Sequence, residues 1–144
     1  MQNVAMCSDE IRGRHGVVRQ SVASLDGNWL PIAAYVSGQV LPVQELRIAR
    51  LVLAGGTYEI HDREQCVVDS GAVRVDTDVS PASLDIVGHD GPGAGKTMLA
   101  IFELDGDLLT ICYDMEASLR PETMEPQQDQ VLLQITYSRA ARRQ

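Results

Sequence analysis

The sequence predicts an all-β protein: an eight-stranded antiparallel up-and-down β-barrel behind a short N-terminal extension. Three observations predict it. Asp105-Gly106 stands between two apolar, β-prone runs, among the strongest short-range hairpin signals. Short strand-like runs recur along the chain between Gly, Pro and Asp clusters, with almost no helical periodicity. Consecutive runs are joined by hairpin-length connections without long crossovers, which favours a barrel over a sandwich. A barrel of that size is filled by side chains or holds one small ligand.

Residues 1–22 form a polar arm, with Ser8-Asp9-Glu10 as a helix start limited by Gly13 and Gly16. The arm is read as a lid over a pocket mouth or as an oligomer or lattice contact. Residues 23–139 are the barrel, and 140–144 a basic tail. The first strand is Leu30–Val36, with Pro31 near its start, and Gly38 marks a turn. Pro42–Leu46 is a short helical turn. Strands two and three, Ile48–Leu53 and Thr57–Asp62, meet at Gly55-Gly56. The fourth is Gln65–Val75, in which Gly71 marks a bulge or bend. Pro81 closes a loop before the fifth strand, Leu84–Val87, and a glycine-rich turn, Asp90–Gly95, leads into the central hairpin. That hairpin supplies strands six and seven. A long acidic loop, Met115–Gln130, precedes Val131–Tyr137, the eighth strand.

With Asp105 and Gly106 at the centre of a type I′ turn, Leu104 faces Asp107, Phe102 faces Leu109, Ala100 faces Ile111 and Met98 faces Tyr113. Met98, Ala100, Phe102, Leu109, Ile111 and Tyr113 then share one face.

Composition narrows the function. Of 144 residues, 44% are hydrophobic, enough for one domain with a real core. Net charge is −8, and residues 21–138 hold only 6 of the 12 basic side chains against 18 of the 20 acidic ones. Such a body repels phosphate backbones, so no nucleic-acid partner is expected. Three cysteines, Cys7, Cys66 and Cys112, with no Cys-x-x-Cys spacing, are read as reduced thiols of a cytoplasmic protein. No signal-like run opens the chain, and no segment has the ~20 apolar residues of a membrane helix.

Leu25-Asp26-Gly27-Asn28-Trp29, Arg50-Leu51-Val52-Leu53, Tyr58, Gly71, Leu84-Asp85-Ile86, Gly91 through Thr97, Tyr113 and Val131-Leu132-Leu133 carry a likeness. Over about residues 23–138 the chain resembles a family of small uncharacterised bacterial domains described as lipocalin-like. Gly27-Asn28-Trp29 is similar to the lipocalin Gly-x-Trp, whose Trp plugs the closed end of the barrel. The resemblance implies a calycin-type barrel and leaves the activity open. His61 departs from the family pattern, and residues 1–22 lie outside it.

Gly91-Pro92-Gly93-Ala94-Gly95-Lys96-Thr97 imitates a phosphate-binding loop. Asp90 stands where that motif needs Gly, and a strand follows where it needs a helix, so the segment is read as a turn. The barrel face is the better lead. Period-2 alternation places Trp29, Ala33, Tyr35, Leu51, Leu53, Tyr58, Ile60, Val73, Val75, Leu84, Ile86 and the hairpin face inward, with Leu133, Ile135 and Tyr137. All six aromatic residues fall on this set. Four inward tyrosines need hydroxyl partners, and an unpaired buried hydroxyl costs ~1–3 kcal/mol. Water or a ligand resolves that, so the candidate ligand-binding residues are Trp29, Tyr35, Tyr58, Met98, Phe102, Ile111, Tyr113, Leu133 and Tyr137.

Leu99, Ile101, Cys112 and Leu132 face outward on this register, to be covered by the arm or by a homodimer interface. His15, His61 and His89 lack zinc-ligand spacing, and Glu59 and His61 share a solvent face. Among the hairpin carboxylates, Asp114 near the rim is singled out. No metal or cofactor is expected, and catalytic residues are left unassigned. Three functions follow as expectations. The first is enclosure of an apolar small molecule in the lumen. The second is a cofactor-free cyclase, for example of 4+2 type, acting on a polyene or polyketide-like substrate by shape and tyrosine hydrogen bonds, an activity that lipocalin-like barrels can host. The third is an interaction domain with a filled core.

Overall fold

The computed structural model describes residues 25–116 and 119–140. Within them the chain is all-β and closes into an eight-stranded antiparallel barrel with one extra short strand. The strands are β1 (Gly27–Val36), β2 (Gln39–Val40), β3 (Arg50–Ala54), β4 (Thr57–His61) and β5 (Val67–Asp76), then β6 (Ala82–Asp90), β7 (Thr97–Asp105), β8 (Leu108–Asp114) and β9 (Leu132–Arg139). Each strand from β3 to β9 pairs with the next, and β1 pairs with both β3 and β9, which closes the ring. β2 folds back on the end of β1 as the extra strand. A 3-10 turn, Val43–Glu45, occupies the expected helical turn. The arm and its lid reading lie outside the described residues, as does most of the basic tail. Among the described residues no helix is long and apolar enough to cross a membrane.

The central hairpin forms, with its register moved by one residue on each side of the turn. Asp105 faces Leu108, Phe102 faces Ile111 and Ala100 faces Tyr113. The turn is centred on Gly106-Asp107, and Gly106 alone of the pair has positive φ, at 62°. Glycine at the first central position is the type II′ pattern, so the I′ expectation is corrected. The slip preserves parity, and Ala100, Phe102, Leu109 and Ile111 are buried together in the barrel core.

Parity breaks in β1. The β1–β9 register shifts between Pro31 and Ala33, which inserts one residue into β1. Proline cannot donate a ladder hydrogen bond, and a bulge is one of the few places a sheet accepts it. Past the bulge every side chain changes face. Ala34, at 2% exposure, replaces Ala33 in the core, and Tyr35, at 37%, faces outward.

Three of the four outward apolar residues are covered by the loop after β8. Ile101, Cys112 and Leu132 form a second buried cluster with Met124 against them. Met124 belongs to the loop after β8, and Pro121 of the same loop is fully buried. Arg120 pins the loop: its Nη1 donates to Ala100 O at 3.0 Å and lies 2.8 Å from Asp85 Oδ1. Asp114 is buried, not a free rim charge; it accepts from Glu116 N at 2.9 Å and Gln130 Nε2 at 3.2 Å, tying both ends of the loop.

Candidate functional site

One end of the barrel is sealed. Trp29 is fully buried, and its Nε1 donates to Leu25 O at 2.8 Å. The Arg139 guanidinium lies 4.3 Å from the Trp29 ring centroid, an attractive stack on the ring face. Arg139 also donates from Nη1 to Asp26 O at 2.8 Å and from Nε to Asp107 Oδ1 at 3.1 Å. Asp26 Oδ1 accepts from Gly55 N at 3.1 Å, against a burial that raises its carboxyl above the ordinary range. Trp29 is therefore a plug beneath the lumen. Phe102 sits at the same end, beside Leu25 and Ala82.

Above the plug the lumen holds a cavity of about 340 Å³. That lies within the range of small-molecule sites. Its walls are Leu51, Leu53, Ile60, Val73, Leu84, Ile86, Met98, Ile111 and Ile135. Ile48, Pro92, Lys96 and Met115 also line it; Pro92, Lys96 and Met115 are exposed and mark the open end.

Besides Lys96 at the rim, four polar side chains line this apolar space: Tyr58, Asp69, Tyr113 and Tyr137. Tyr58 Oη donates to Asp69 Oδ1 at 3.0 Å. Burial, then that hydrogen bond and the Asp69 charge, hold Tyr58 above the usual phenol range. Burial, and next the negative field of Asp69, push Tyr113 up to about 12. Tyr137 is raised further by burial, with Tyr113 adding to it. All three phenols are thus neutral hydrogen-bond donors at neutral pH. Among the described residues no protein group hydrogen-bonds the hydroxyl of Tyr113 or of Tyr137.

The glycine-rich segment builds part of the rim. Gly88 N donates to Lys96 O at 2.9 Å, Gly95 N to Gly88 O at 3.0 Å and Lys96 N to Gly93 O at 2.9 Å. A Cβ on Gly88 would lie 2.0 Å from Gly93 O, so only glycine lets the turn lie this close to β6. The turn brings Gly93 over Asp69 and Tyr58.

Of the nine candidate residues, Tyr58, Met98, Ile111, Tyr113 and Tyr137 line the cavity. Trp29, Phe102 and Leu133 are buried in the core without lining it. Tyr35 is corrected outright: the β1 bulge turns it to an outer groove beside Met124, Pro126 and Gln134. Sequence reasoning missed Asp69. It shares parity on β5 with Gly71, Val73 and Val75, so a carboxylate on the inward face was the available signal. Elsewhere, His61 Nε2 lies 3.0 Å from Glu59 Oε1 outside the lumen, and Asp62 caps its turn through Glu64 N and Cys66 N. Among the described residues no three His, Cys, Asp or Glu side chains are grouped to hold a metal. Cys112 lies under the loop, where burial pushes its thiol up to about 11 and leaves it a poor nucleophile.

No family model, curated protein or solved structure matches the chain. The functional reading therefore stands on the cavity.

Proposed function

We propose that this protein encloses an apolar small molecule in its barrel, held at its polar end by tyrosine hydroxyls. The observation that carries this is the cavity of about 340 Å³ lined by Tyr113 and Tyr137, whose hydroxyls have no hydrogen-bond partner among the described residues. A ligand acceptor that meets these donors in an apolar surround gains a hydrogen bond that the protein does not already make. The apolar walls supply affinity at roughly 25 cal/mol per Å² of ligand surface buried. The same walls and donors support a second reading, a cofactor-free cyclase of a polyene or polyketide-like substrate. Enclosure folds the chain, and orientation alone lowers such barriers by up to ~7–11 kcal/mol. The site suits a carbonyl-bearing substrate, because phenol donors polarise a carbonyl without any cofactor.

Native mass spectrometry of freshly purified protein tests the first reading. A bound apolar compound, lost when Ile86→Trp fills the cavity, is the expected result. Neither a compound nor uptake of the neutral dye N-phenyl-1-naphthylamine would sink it. Cyclisation conserves mass, so the second reading expects a change in chromatographic retention without a mass change when an extracted ligand precursor is incubated with the protein.

A further inference from the structure

The polar groups of the cavity are unevenly satisfied, and the imbalance specifies what meets them. Asp69 Oδ1 is occupied by Tyr58 Oη. Asp69 Oδ2 accepts no hydrogen bond among the described residues. Gly93 has no side chain to cover it: a Cβ there would sit 3.5 Å from Oδ2. Tyr113 and Tyr137, on the same cavity, each have a hydroxyl that makes no hydrogen bond among the described residues. The one cationic lining residue, Lys96, is exposed at the rim and belongs to no ion pair among the described residues.

We infer that the enclosed ligand carries a neutral head that both donates and accepts hydrogen bonds, a hydroxyl or a primary amide, seated between Asp69 and the hydroxyls of Tyr113 and Tyr137. The head donates to Asp69 Oδ2 and accepts from the phenols, so every group is matched. A free carboxylate fails twice. It has no proton for Oδ2, and it sets a like charge beside Asp69 in an apolar space, where repulsion is weakly screened. The site therefore rejects simple fatty acids, whose apolar tails would otherwise fit. This deepens the enclosure reading and rests on it.

The test is displacement of N-phenyl-1-naphthylamine by decan-1-ol and by decanoate at neutral pH, two ligands matched in chain length. The expected result is an alcohol at least about tenfold tighter than the acid. Asp69→Asn keeps an acceptor for Tyr58 and removes the charge, and it brings the two affinities within about threefold. Asp105→Asn, an exposed carboxylate at the sealed end, leaves the ratio as in wild type. Equal wild-type affinities overturn the inference, and that measurement stands even where Asp69→Asn does not fold. An unchanged ratio in Asp69→Asn, an equal shift in Asp105→Asn, or dye binding that neither compound displaces also overturns it, and each leaves enclosure standing. Failure of the dye itself to bind overturns enclosure, and this inference with it.

Discussion

The two ends of the barrel are built by opposite rules. At the sealed end a large aromatic is fully buried and its one polar atom is paired: Trp29 Nε1 meets Leu25 O, and Arg139 stacks on its ring while bonding Asp26 and Asp107. At the open end the aromatics also face inward, yet among the described residues two of their hydroxyls meet no protein group and a cavity lies between the walls. Both ends use inward positions of the one barrel. The difference teaches that the sealed end pairs its polar atoms for stability, and on the proposed reading the open end keeps its polar groups for a bound molecule.

Mutations and pH separate the two ends. The largest effect is expected at the plug: Trp29→Ala lowers unfolding free energy by about 3–5 kcal/mol in denaturant titration, because the layer beneath the lumen cannot collapse into the gap. A loss under 1 kcal/mol would erase the distinction between the ends. Gly88→Ala is expected to cost about 3 kcal/mol, since backbone lies 2.0 Å from the new Cβ. It should also change dye affinity, which Trp29→Ala in its folded fraction should not.

Of the two ends, the open one carries the phenols that alkaline pH titrates, while the Cys112 thiol under the loop titrates near 11. Tyr113 is raised from 10.0 to about 12 in the folded state, so the unfolded chain loses this proton first. The contribution is fully present below pH 10 and is lost as pH rises through 12, by about 2 kcal/mol at pH 12. Phenolate absorbance rising together with loss of tertiary structure, above pH 10, is the expected signature.

The smallest effect is the sharpest. Tyr137→Phe removes a hydroxyl that has no hydrogen-bond partner among the described residues, so stability stays within about 1 kcal/mol of wild type or rises. Tyr58→Phe breaks the bond to Asp69 and is expected to cost about 1 kcal/mol. If thermal melts show Tyr137→Phe to be the more damaging of the two, the open end is not in reserve.

The sequence by itself determined the barrel, its strand order and most of its lumen. Turn residues such as Gly55-Gly56 and Gly106 are local signals, and period-2 alternation carries a face along a whole strand without outside help. Even the hairpin slip, from Asp105-Gly106 to Gly106-Asp107, left Met98, Ile111 and Tyr113 on the cavity wall, because it moved both strands by one residue and conserved parity. Only the tertiary structure decided where parity fails and which inward residues touch empty space. The bulge at Pro31–Ala33 lies in the β1–β9 ladder just past the last β1–β3 pair at Trp29, where a proline cannot donate to a ladder, and it sent Tyr35 outward. Asp69 became part of the site because the glycine-rich turn folds back over β5, a contact between segments about 20 residues apart that no periodicity records. Period specifies a face; closure of the barrel specifies what that face encloses.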